Sequence, residues 1–146
     1  MQRQPPIFVG IAGGTASGKT TVAEEILASM NRFTTCCTIT LDAFYKECTP
    51  EQMADIGSVN FDHPQIFDWE LLKATLAQLR EGHDVTLPAY DYKTCKRSEP
   101  GHFRKWAPVV IFEGIFALLD REINDKFLDF KIFVLTDDDV RLARRI

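Results

Sequence analysis

Short apolar runs alternate along this chain with stretches whose apolar positions recur every three or four residues. Ile7–Ala12 is an unbroken apolar run closed by Gly13-Gly14, the pattern of a strand buried on both faces. Lys19–Met30 has helical spacing, with Val22, Ile26 and Leu27 on one side and Glu24 and Glu25 on the other. Cys36–Leu41 alternates threonine with apolar residues, predicts a second strand and ends at Asp42. A stronger helix starts after Asp68, a candidate N-cap, with Leu71, Leu72, Leu76 and Leu79 as its inner stripe and Gly82 as its stop. Val85–Tyr92 and His102–Trp106 read as two arms of an antiparallel ribbon turning through Ser98–Gly101. Val109–Phe112 is a third strand leading to Glu113-Gly114, a helix is expected over Leu118–Phe127, and Phe130–Leu135 reads as a fourth buried strand. Thr136 or Asp137 then caps a last helix, for which Asp137, Asp138 and Asp139 supply N-terminal negative charge.

Strands that alternate with helices imply an α/β fold, a parallel sheet covered by helices on both faces, with the small antiparallel ribbon added. At 146 residues the chain reads as a single domain with a real core. The arginine-rich run Arg141, Arg144, Arg145 looks like the middle of an element, so further chain is expected beyond Ile146.

Composition narrows the partners. The chain is 45% apolar and carries a formal charge of −4 with both signs interspersed, so no basic face is available for nucleic acid and no polybasic run for a membrane surface. An anion must be caught by a local site. No apolar stretch approaches the roughly 20 residues a membrane span needs, and the polar start Met1–Pro6 is unlike a signal peptide. Cys36, Cys37, Cys48 and Cys95 lack metal-type spacing and read as reduced thiols of a cytosolic protein.

One segment carries the chemistry. Gly13-Gly14-Thr15-Ala16-Ser17-Gly18-Lys19-Thr20 fits G-x-x-x-x-G-K-[ST] at every fixed position and lies between a strand and a helix, and with Thr21 it forms the candidate ATP-phosphate site. Glycines let successive N–H groups wrap an anion at the positive end of the helix. Lys19 is suited to the β- and γ-phosphates and the Thr20 hydroxyl to Mg²⁺. Asp42 and Glu113 each follow a strand at its carboxyl end, where a parallel sheet gathers its ligands, and are candidate Mg²⁺-associated carboxylates.

With these residues in view the chain resembles a uridine–cytidine kinase of the P-loop nucleoside kinase type. The resemblance rests on residues 13–20, Asp-Ala-Phe-Tyr (42–45), Asn-Phe-Asp-His-Pro (60–64), Pro-Ala-Tyr-Asp-Tyr (88–92), Phe-Glu-Gly-Ile (112–115) and Arg-Leu-Ala-Arg-Arg (141–145). It implies ATP- and Mg²⁺-dependent phosphorylation of the 5′-hydroxyl of uridine or cytidine in the cytosol, by a homo-tetramer. It further implies Asp42 as general base, Asp62 on the ribose hydroxyls and Tyr90 at the base, with Tyr45, Phe61 and Tyr92 as aromatic walls and Arg145 on the substrate side. Tyr90 and Phe61 also fit plain packing, and Asp62 also fits a helix cap. His63 reads as shaping a turn; His83 and His102 read as surface residues.

Two departures from the family pattern stand out. Cys95 occupies the place of a histidine that hydrogen-bonds the pyrimidine edge, and a thiol is a weaker partner. The family also continues past the position of Ile146 with an arginine-rich lid and an edge strand. Two alternatives therefore stay open: a sister kinase acting on another small alcohol such as nicotinamide riboside, phosphoribulose or pantothenate, and a nucleotide-binding module without turnover.

Overall fold

The computed structural model of the chain describes residues 3–14, 18–61 and 63–135. Its strands are β1 (Ile7–Gly13), β2 (Cys36–Thr40), β3 (Val85–Asp91), β4 (Lys96–Arg104), β5 (Val109–Glu113) and β6 (Phe130–Val134); its helices are α1 (Lys19–Met30), α2 (Pro50–Ala54), α3 (Trp69–Arg80) and α4 (Arg121–Lys126). Four strands form one parallel sheet in the order β2-β5-β1-β6, and β3 pairs with β4 in a separate antiparallel ribbon. In register, Ile11 of β1 and Thr40 of β2 both face Glu113 of β5, so the carboxyl ends of β2, β5 and β1 lie side by side.

Alternation along the strands splits the interior into two cores. Ile11, Val109 and Ile111 point toward α1, meeting Ala23, with Ile26 and Leu27 packed against them. Phe8, Ile39, Val110 and Phe112 point the other way, toward Leu72, Leu76 and Leu79 of α3 and Ile123 of α4. Helices thus cover both faces, as the alternating pattern implied. Asp68 caps α3 by accepting from the Leu71 N–H at 3.1 Å, and Gly82 follows its C-cap Glu81. The inner stripe is Leu72, Thr75, Leu76 and Leu79, with Leu71 only half-buried; Thr75 is tolerated because its hydroxyl donates to the Leu71 carbonyl at 2.8 Å.

Three expectations need correction. The ribbon turns at residues 92–95, not at Ser98–Gly101, and its second arm starts at Lys96 rather than His102. Asp91 Oδ1 accepts the Lys93 N–H at 2.9 Å and Cys95 takes a positive φ of 54°, which closes the tight turn. Ser98–Gly101 is instead a bulge: the register jumps from Leu87↔His102 to Ala89↔Ser98, where Pro88 and Pro100 have no N–H to give a ladder. The helix expected from Leu118 begins only at Arg121, because Asp120 caps it by accepting from Ile123 N–H at 3.0 Å. Finally, β6 is not buried: Phe130, Phe133 and Leu135 are exposed, since β6 is the edge of the sheet among the described residues. The expected last helix, with Asp137–Asp139, lies outside the described residues.

Candidate active site

Gly13 ends β1, Gly14 follows, and Gly18 stands as N-cap of α1 with φ 94°, a left-handed conformation that a side chain would strain. Gly18 O accepts the Val22 N–H at 3.0 Å, so α1 starts immediately after the glycine, and the first turn of a helix carries its positive end. Lys19 and Thr20 occupy the first helical turn, half-exposed and exposed, and Thr21 is exposed beside them. Thr15, Ala16 and Ser17 lie outside the described residues, as do Asp62 and Arg145.

Two carboxylates gather at the same edge. Asp42 sits in a short 3-10 turn, Leu41–Phe44, that continues directly from β2. Its N–H donates to Thr40 Oγ1 at 3.3 Å, while the Thr40 side chain also hydrogen-bonds Glu113 across the β2–β5 register. Thr40 therefore ties both acids to one position, a role not read from the sequence; a threonine two residues before the aspartate at a strand end was the available signal. Glu113 is half-buried, and burial pushes its carboxyl up, against the Thr40 hydrogen bond and the Lys19 charge that pull it down, with Asp42 adding to the rise.

Beside Asp42 opens a pocket of about 280 Å³, lined among others by Thr40, Ala43, Tyr90, Tyr92, His102 and Arg104. Tyr45 is its aromatic anchor, though buried behind the opening: its ring stacks on Phe67 at 4.7 Å between centroids and meets Tyr90 at 5.3 Å, Tyr92 at 5.7 Å and Phe61 at 5.8 Å. Tyr90 and Tyr92 meet edge to face at 5.1 Å. Partial burial and the Asp42 charge both raise the Tyr92 phenol, which places Tyr92 within electrostatic reach of Asp42. Cys95 is fully buried; its Sγ donates to the Tyr92 carbonyl at 3.7 Å, and it does not line the opening.

Neither His102 nor Arg104 was singled out for this pocket from the sequence. Both project from the same side of β4, and Arg104 is held there by Nε donating to Thr38 O at 3.3 Å. The ribbon register that places them is set by the turn at residues 92–95, which the pattern of apolar residues did not locate. His63 shapes a turn as expected, with Nδ1 accepting the Gln65 N–H at 3.1 Å.

Glycines 13, 14 and 18 between a strand and a helix, a lysine in the first turn of that helix and two carboxylates at the ends of adjacent parallel strands make up the phosphate edge of a P-loop fold. The chain belongs to the Phosphoribulokinase / Uridine kinase family, whose model matches residues 8–146. It is 43% identical over 142 residues to uridine-cytidine kinase A of Dictyostelium discoideum, covering 97% of this chain and 28% of that protein. It is 40% identical over 146 residues to the uridine kinase of Lactobacillus johnsonii, covering 100% of this chain and 69% of that protein. It is 45% identical over 148 residues to uridine kinase-like protein 4 of Arabidopsis thaliana, covering 100% of this chain but only 30% of the relative. Among solved structures, a "possible uridine kinase" from Bacillus stearothermophilus matches with TM-score 0.69 at 22% identity, over 99% of this chain and 78% of that one, which supports the fold.

Proposed function

We propose that this chain carries the nucleotide and acceptor sites of a pyrimidine nucleoside kinase that transfers the γ-phosphoryl group of ATP to the 5′-hydroxyl of uridine or cytidine. The observation that carries the reading is that Asp42 lines the same pocket as Tyr90 and Tyr92 while sharing Thr40 with Glu113 at the phosphate edge. The acceptor hydroxyl and the nucleotide would then meet at Asp42, which takes the hydroxyl proton as the bond to phosphorus forms. Lys19 and the N–H groups of the glycine-rich turn hold the phosphates and offset the charge spread over them in the transition state. Tyr90 and Tyr92 offer flat faces to a planar base, and Tyr45 and Phe61 stiffen them from behind. By family resemblance Thr15, Ala16 and Ser17 complete the phosphate loop, Asp62 holds the ribose hydroxyls and Arg145 faces the substrate, whereas Cys95, buried behind the opening, does not reach the base edge the resemblance assigns to it.

Thr20, Glu113 and Asp42 are hard oxygen donors, and Thr40 anchors the Glu113 carboxyl and the Asp42 backbone N–H at one edge of the sheet, an arrangement that suits a divalent cation. These residues would hold Mg²⁺, which when bound neutralises phosphate charge. We place the enzyme in cytoplasmic pyrimidine salvage as a homo-tetramer, by resemblance to its family; no helix among the described residues is long and apolar enough to cross a membrane.

A panel of acceptors tests the reading. With ATP and Mg²⁺, uridine and cytidine are expected to yield their 5′-monophosphates while nicotinamide riboside and pantothenate do not. Preferential transfer to either of the latter would move the protein to a sister activity, and ATP binding with transfer to none would favour a binding module.

A further inference from the structure

Behind the acceptor pocket two thiols converge on one phenol. Cys48 lies in the segment between the 3-10 turn of Asp42 and α2, and Cys95 in the turn of the ribbon, 47 positions further on. The Cys48 N–H donates to the Cys95 carbonyl at 3.1 Å, and burial and the neighbouring Cys95 thiol push the Cys48 thiol up, so the two side chains are neighbours. A direct N–H···O=C bond of that length puts the two backbones in contact, and a disulfide spans α-carbons roughly 4.4–6.8 Å apart. Cys48 Sγ also stands 4.0 Å from the Tyr90 hydroxyl, and burial together with both thiols raises that phenol. All four cysteines are free thiols.

We infer that Cys48 and Cys95 form an oxidative modification site, closing to an intramolecular disulfide that ties the ribbon turn to the segment following Asp42. A small-molecule disulfide such as glutathione disulfide is the oxidant. The Cys48 thiolate, the half-buried and accessible member, attacks one sulfur and releases one glutathione thiolate. The buried Cys95, deprotonated in turn, displaces the second from the mixed disulfide. Two thiols lose two protons and two electrons, and one glutathione disulfide becomes two glutathiones. Burial and the neighbouring thiol raise the Cys48 thiol above its ordinary value, so the reaction quickens as pH rises. Cys37 offers no equal competition, being buried and pushed up to about 11.

Closure changes the pocket. In the reduced chain the Cys48 thiol meets the Tyr90 hydroxyl and the Cys95 S–H is given to the Tyr92 carbonyl; the cystine has no S–H and its sulfurs are drawn together, so the Tyr92 carbonyl loses its donor and the Tyr90 ring loses a contact that fixes its tilt. On the nucleoside-kinase reading above, the oxidised form is expected to show a uridine KM raised roughly three- to tenfold, the scale of one lost hydrogen bond, with kcat nearly unchanged.

The linkage is read on peptides, independently of turnover. The reduced chain is incubated with glutathione disulfide, alkylated, digested with trypsin without reductant and mapped by mass. The expected product joins peptide 47–73 to peptide 94–96 with loss of two hydrogens, disappears with dithiothreitol, and is absent from Cys48→Ser. Recovery of Cys95 as an alkylated thiol, with Cys48 left glutathionylated or joined to peptide 33–46, would overturn the inference. Complete linkage with an unchanged uridine KM would overturn its consequence for the pocket. Failure of any nucleoside to be phosphorylated would count against the proposed function and leave the peptide result to stand or fall alone.

Discussion

Gly114, the residue after Glu113, lies so close to Leu41, the residue before Asp42, that a β-carbon built on Gly114 would come within 2.5 Å of Leu41 Cβ. That contact sets the spacing between the strand end carrying one carboxylate and the turn carrying the other. Leu41 is fully buried and cannot swing into solvent to relieve a clash. Gly114→Ala is expected to cost about 1–3 kcal/mol of stability and to lower kcat by displacing Asp42. Thermal unfolding together with turnover measured well below the melting point separates the two effects.

Glu113 predicts a trade between stability and activity. Its carboxyl is raised by burial, so the folded chain holds the proton to higher pH than the unfolded chain does. Stability therefore falls as pH rises from the ordinary glutamate value through the raised one, and the ionised group costs stability at neutral pH. Glu113→Gln is expected to raise the melting temperature at pH 7 while weakening Mg²⁺-dependent activity by roughly 10- to 100-fold. The acid limb of the wild-type activity profile is expected above the usual glutamate range. Melting curves and a pH–rate profile check both signs.

Arg97 fastens the ribbon to the core. Its Nη2 donates to Asp68 Oδ2 at 3.0 Å and to Tyr45 O at 3.3 Å, while its N–H donates to Glu47 Oε1 at 3.0 Å. Burial lifts the Asp68 carboxyl, but the Leu71 N–H and the Arg97 guanidinium outweigh it and hold the group below its ordinary value. The stability from this group is thus present above the unfolded value and lost as pH falls through the lower folded one. Arg97→Ala is expected to lose about 1–2 kcal/mol at pH 7 and less at acid pH, with the acceptor KM rising more than the ATP KM. Denaturant melts at pH 7 and in acid, with both KM values, make the comparison.

Lys73 joins α3 to α4 through Glu122 Oε2 at 3.1 Å and Asp120 Oδ2 at 3.2 Å. Because one ammonium serves two acids at the start of α4, Lys73→Ala is expected to destabilise the chain by about 1 kcal/mol, an effect that shrinks with added salt. Denaturant melts in low and high salt measure it.

Local chemistry made much of this legible from sequence. The strand β1, the helix α1 and the glycine pattern between them followed from a buried run, an amphipathic repeat and a fixed motif, all local signals. Asp42 and Glu113 could be placed because a parallel sheet puts its strand ends together. Pairing across distance was less visible. The ribbon turn depends on an aspartate-backbone hydrogen bond and a positive φ at a cysteine, and prolines displaced the apparent turn into a bulge. That misplacement hid His102 and Arg104 from the pocket wall. The Thr40–Glu113 link and the approach of Cys48 to Cys95 went unread for the same reason: each joins residues many positions apart, although Cys95 itself stood out in the sequence.

Phosphate transfer from ATP to uridine by the wild-type chain and by Asp42→Asn tests the central claim most directly, with ATP and uridine binding measured in parallel. If Asp42 takes the proton of the acceptor hydroxyl, the asparagine variant binds both substrates nearly as before while kcat falls by roughly 10²- to 10⁴-fold. Turnover within a few fold of wild type, with both substrates bound, would contradict the account.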